Sequence, residues 1–219
     1  VVHGFPSAVG TASKLGIKVL LGVEGYLIDD GRGISDDGRF AVIDIYMDDM
    51  GEPALVVSAA AFDTGNMPED PFIWRLPVQG ATIKSENFYD VVSHMLEFAP
   101  DRREQVGKLF STIEGCTAVI TFDRDALKIL NDAASTMGHS TEHFIDINAL
   151  IRHTHTRIYV PTLENIAVFF GDEVPVTAVG RLELFARWYK RLVAEAHESG
   201  KHEIPMNIGF TAGYEKTRG

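Results

Sequence analysis

Residues 39–49 read Arg39-Phe40-Ala41-Val42-Ile43-Asp44-Ile45-Tyr46-Met47-Asp48-Asp49, and the fold is decided by how this stretch is read. An apolar run leads straight into Asp44, as in a buried strand whose end delivers a side chain to a site. Side chains on a strand alternate with period two, so Asp44, Tyr46 and Asp48 share one face while Ile43, Ile45 and Met47 share the other. The pattern predicts one face of oxygen and one face of core, with Asp44 at the strand end.

Upstream, residues 29–38 read Asp29-Asp30-Gly31-Arg32-Gly33-Ile34-Ser35-Asp36-Asp37-Gly38, a glycine and aspartate loop that sets the domain division. Residues 1–38 form an N-terminal segment and linker, with a helical pattern over 7–15 and a strand pattern over 18–28. The main domain is expected over 39–200, with a weakly packing tail over 201–219.

Downstream of 39–47, two more strand patterns cover 54–62 and 71–78, separated by turn residues, which suggests an antiparallel meander. Helical patterns follow at 86–98 and 102–113. Pro100 breaks the chain between them and Asp101 is expected to cap the second. A buried strand at 116–122 feeds a helix over 125–137 that Gly138 ends. A short strand at 143–147 and helices at 148–153, 162–170 and 179–197 complete the order. Three strands, helices, strand, helix, strand and helices are the layout of a ribonuclease-H-like α/β domain, a mixed sheet flanked by helices.

A chain of 219 residues with 45% hydrophobic content has room for a proper core. No apolar run of about 18 residues occurs, and the first ten residues lack a basic-then-apolar layout, so a cytoplasmic protein without a membrane span is expected. The one cysteine, Cys116, excludes an internal disulfide framework and is expected in the core. With Lys and Arg at 20 against Asp and Glu at 31, the net charge of −11 counts against free-standing tight DNA binding. It leaves room for a metal-dependent nuclease, where cations offset carboxylates.

Two parts of the chain together resemble one known arrangement. Val1-Val2-His3-Gly4-Phe5-Pro6-Ser7-Ala8, with Leu15-Gly16-Ile17-Lys18-Val19-Leu20-Leu21-Gly22-Val23-Glu24-Gly25-Tyr26-Leu27-Ile28-Asp29-Asp30, resembles the polymerase-and-histidinol-phosphatase (PHP) segment of PolC-type bacterial DNA polymerase III alpha subunits. In that family a DnaQ-like proofreading exonuclease is inserted just after this segment. Residues 39 to about 193 resemble that insertion in order, length and hydrophobic pattern.

The resemblance implies two Mg²⁺ or Mn²⁺ ions held by four carboxylates, with a histidine handling the proton. The family's first motif is Asp-x-Glu; here it reads Asp44-Ile45-Tyr46, and a phenol cannot bridge two metals as a carboxylate does. Its second motif is an aspartate after the fourth strand. Asp123 and Asp125 are both candidates, the helical register also allows Ala126, and the usual His-Asn pair is missing. Its third motif, a histidine five before an aspartate, is absent from Val176-Thr177-Ala178-Val179-Gly180-Arg181-Leu182-Glu183. Glu183 is the carboxylate there, and Arg181 falls where the aspartate belongs. In the opening, Glu24 matches a PHP metal ligand, without its partner histidines.

Two readings follow. One is a non-catalytic exonuclease-like domain of a replication protein, structural or binding replication proteins or single-stranded DNA. The other is an active 3′→5′ exonuclease using Asp44, Asp123 or Asp125, and Glu183 with Mg²⁺ or Mn²⁺. Elsewhere, Asp48 reads as a solvated turn residue and Tyr46 as an ordinary strand tyrosine. His153 and His155 read as part of a solvated loop. Arg181, Arg187, Lys190 and Arg191 read as the solvated face of the last helix.

Overall fold

The computed structural model describes residues 39–63, 70–78, 87–139, 144–155, 158, 160 and 162–198. The opening helix and strand patterns, Glu24, the linker and the tail lie outside them.

The apolar run and its acidic end form β1 (Phe40–Asp48), followed by β2 (Ala54–Phe62) and β3 (Phe72–Pro77). The three make an antiparallel meander, with Asp44 opposite Ser58 and Ser58 opposite Ile73. The chain then runs through α1 (Phe88–Phe98) and α2 (Arg102–Ile113) to β4 (Ala118–Thr121), which lies parallel to β1 on its other side. Next come α3 (Arg124–Ser135), β5 (Phe144–Asp146), α4 (Ile147–Thr154), α5 (Leu163–Phe170) and α6 (Ala178–Glu198). The sheet order is β3-β2-β1-β4-β5, antiparallel on one side of β1 and parallel on the other. This is the mixed, helix-flanked sheet of the ribonuclease-H-like α/β class.

Helices cover both faces. Ala41, Ile43 and Ile45 of β1 pack with Leu55, Val57 and Trp74 beneath Val92 and Leu96 of α1, Leu109 of α2, and Leu127 and Leu130 of α3. Phe40 and Val42 pack on the opposite side with Ala60, Phe62 and Ile120 against Phe185, Trp188 and Leu192 of α6. The period-two alternation holds. The expected division into an oxygen face and a core face does not, because the Asp44 face begins as core under α6. Asp44 also sits in the middle of the strand rather than at its end.

Local signals explain most helix limits. Asn87, Asp123, Asp146 and Thr162 each accept a hydrogen bond from a first-turn amide, as N-caps do. Asp101 makes no side-chain cap bond; its backbone carbonyl accepts from the Gln105 amide instead. Gly138, at φ 81°, closes the end of α3: its amide donates to the Ser135 carbonyl and the His139 amide to that of Ala134. Cys116 is half-buried beside the α1–α3 core rather than within it.

Candidate functional site

Asp44 is 2% exposed although its neighbours on the same strand face toward the N-terminus are apolar. A buried carboxylate on a central strand needs a partner, since an isolated buried charge is strongly disfavoured. The partner comes from the first turn of α6. Thr177 starts that helix: its hydroxyl accepts from the Gly180 amide at 3.2 Å and its carbonyl from the Arg181 amide at 3.0 Å. Gly180 packs directly on Pro175, so closely that a Cβ there would lie 2.6 Å from the proline Cβ. The helix start is thereby seated so that Arg181 reaches β1.

Arg181 Nε donates to Asp44 Oδ2 at 2.5 Å and Nη2 to Oδ1 at 3.4 Å, a two-pronged pair. The guanidinium lies over the Tyr46 ring, 4.1 Å from its centroid, and 5.8 Å from that of Phe185. The two side chains are 12% and 3% exposed, so the pair is withdrawn from water. Arg181 is therefore not on the solvated face of α6; Arg187 and Lys190 are exposed, and Arg191 pairs with Glu195. Tyr46 is a strand tyrosine of β1 as expected, and its ring is the platform beneath the guanidinium.

Other oxygens gather along the parallel strands. Thr121 pairs with Ile43 on one side and Asp146 on the other, which brings Asp44 of β1 and Asp146 of β5 to the same end of the parallel strands as Asp123, the N-cap two residues beyond β4. Burial pushes the Asp44 carboxyl above its ordinary range, opposed by Arg181 and reinforced by the negative charge of Asp123. Burial likewise raises Asp123, whose oxygen accepts from the Ala126 amide at 2.9 Å and which also hydrogen-bonds Tyr89. Asp146 is raised by burial while capping α4 through the Ala149 amide at 3.0 Å. Opposite Asp44, the fully buried Ser58 hydroxyl has no hydrogen-bond partner among the described residues.

Asp48, expected in a solvated turn, is 9% exposed. It accepts from the Met50 amide at 2.9 Å and from Arg75 Nη1 at 2.7 Å, and these bonds hold its carboxyl below the usual range. His155, expected in a solvated loop, ends α4, packs on Phe169 and Phe170, and places Nε2 3.0 Å from a Glu195 oxygen.

Of the residues the resemblance points to, Asp44 and Asp123 are brought within electrostatic reach of each other. Asp125 is exposed in the first turn of α3, and Ala126 is buried there. Glu183 follows Arg181 by two residues, about 200° around the helix axis, and so leaves the helix on another side. Among the described residues no three His, Cys, Asp or Glu side chains are placed to share a metal ion. The surroundings of Asp44 do not fit a divalent ion. Both carboxylate oxygens are engaged by a cation that would repel it, and an aromatic ring stands two residues along the strand. Asp146, Tyr89 and Ser58 belong to this neighbourhood and were not singled out by sequence. Asp146 was readable, since an aspartate directly before a helical pattern is an N-cap signal.

The chain is similar to the "DNA polymerase III PolC-type" protein of Caldanaerobacter subterraneus subsp. tengcongensis, at 24% identity over 184 residues. The likeness is to part of a PolC-type polymerase. It covers 78% of this chain and 13% of that protein, so the chain spans a small fraction of its relative's length. No family model matches the chain. Among the described residues, no helix is long and apolar enough to cross a membrane.

Proposed function

We propose that this chain is an exonuclease-like region of a DNA replication protein of PolC type, retained for a structural or partner-binding role rather than for catalysis. One observation carries the proposal: Arg181 grips both oxygens of Asp44 and lies on Tyr46. The sequence departs from the exonuclease pattern at two distant motifs, with tyrosine in place of glutamate and arginine in place of aspartate. In space those two departures are a single contact. A clamp on a scissile phosphate needs carboxylates free to hold cations. Here the strand aspartate is already neutralised by a tethered one.

The likeness to a PolC-type polymerase supports the replication setting, and the sheet order supports an exonuclease-like scaffold. Incubating the purified chain with 3′-labelled single-stranded DNA and Mg²⁺ or Mn²⁺ tests the reading. The expected result is no metal-dependent trimming above that of Asp44→Ala. Trimming that Asp44→Ala abolishes would establish the active alternative, working through Asp44 with Asp123 or Asp125 and Glu183.

A further inference from the structure

We propose that Asp44, Tyr46 and Phe185 form a guanidinium-binding cradle, a site for a planar monovalent cation, and that Arg181 is its resident occupant. Each wall answers one property of that cation. Asp44 presents two oxygens to two N–H groups of one guanidinium, a match of planar forks. Tyr46, with a centroid 4.1 Å from the guanidinium carbon, offers an aromatic face, and Phe185 stands at 5.8 Å. Ring faces attract weakly hydrated cations that can shed water on entering.

A divalent ion has opposite needs. Magnesium requires six oxygens in near-octahedral array and releases water reluctantly. The cradle provides one carboxylate and two ring faces. Asp123, the next carboxylate, is bound to the Ala126 amide and Tyr89. At the contact itself one carboxylate faces one monovalent cation, while the charge of Asp123 acts on Asp44 from outside the cradle. The cradle would have this selectivity in a protein of any function.

Truncating the occupant should leave a vacancy that a free guanidinium ion can fill. The test is thermal melting of the 219-residue chain carrying Arg181→Ala with methylguanidinium at sub-denaturing concentration, beside wild type and Arg181→Ala/Tyr46→Ala. The expected result is a rise of about 2–4 °C in Arg181→Ala once the ion exceeds its dissociation constant several-fold. Wild type should not rise, and the double variant should rise less. Equal responses in all three proteins would overturn the proposal. A rise in Arg181→Ala with MnCl₂ but not methylguanidinium would assign the place to a divalent ion and overturn it too. Should Arg181→Ala fail to fold, ¹⁵N NMR of wild-type arginine Nε–H groups decides. Arg181 should exchange far more slowly with water than exposed Arg187, and equal exchange would refute a filled cradle.

Discussion

Removing Arg181 exposes the largest energetic consequence of this arrangement. In Arg181→Ala, Asp44 remains buried on a central strand with its neutralising partner gone. Breaking a buried pair from one side costs about 3–5 kcal/mol, against about 0–1 kcal/mol for an exposed pair. Exposures of 12% and 3% place this pair in the first class. Urea unfolding followed by circular dichroism should therefore show a loss of about 3–5 kcal/mol at neutral pH. The double variant Asp44→Leu/Arg181→Met should recover most of it, because no buried charge is left uncompensated. The pH dependence has a definite sign. Asp44 titrates above its ordinary value of 3.8, so its protonated form favours folding. That contribution is complete below 3.8 and is lost as pH rises through the folded-state value. Arg181 opposes the shift, so without it the loss on raising pH is larger. The gap between Arg181→Ala and wild type should thus be widest at neutral pH and narrow toward pH 4. A loss below about 1 kcal/mol, or a gap independent of pH, would refute the claim that Arg181 neutralises a buried carboxylate.

Other perturbations separate the neighbouring contacts. Gly180→Ala should destabilise by about 1–3 kcal/mol in thermal melts, since its Cβ would meet Pro175 at 2.6 Å; helix propensity alone predicts a gain. Asp123→Ala should cost about 1 kcal/mol by uncapping α3, with Asp123→Asn retaining most of it. Arg75→Ala should raise the Asp48 titration in carboxyl-detected NMR. Asp48 is held low in the folded state, so its contribution exists above 3.8 and is lost as pH falls through the folded value. That acid-side loss should be smaller in Arg75→Ala.

Much of the sheet was legible because each strand pattern is local. Phe40-Ala41-Val42-Ile43, the β2 run and Ala118-Val119-Ile120 announce buried strands by composition, and the turn residues between them fix a meander. The capping roles of Asp123 and Asp146 are local as well. The site was less legible because its decisive contact joins residues 137 positions apart. A buried ion pair and a solvated charge look alike in composition. The signal available was positional: Arg181, Phe185, Trp188 and Leu192 follow helical spacing, so Arg181 extends the buried stripe of α6 by one turn. An arginine on that stripe requires a buried partner. Asp48 and His155 escaped for the same reason, each drawn inward by a partner remote in sequence, Arg75 or Glu195.

Asp44, neutralised by Arg181, is expected to be closed to divalent ions. Paramagnetic broadening by Mn²⁺ tests this most directly, through backbone amide resonances of the ¹⁵N-labelled chain. The amides of Ile43, Asp44, Ile45 and Ser58 should show no intensity loss centred on Asp44 at millimolar Mn²⁺, while broadening centres on exposed carboxylates. Selective broadening centred on Asp44 would contradict it.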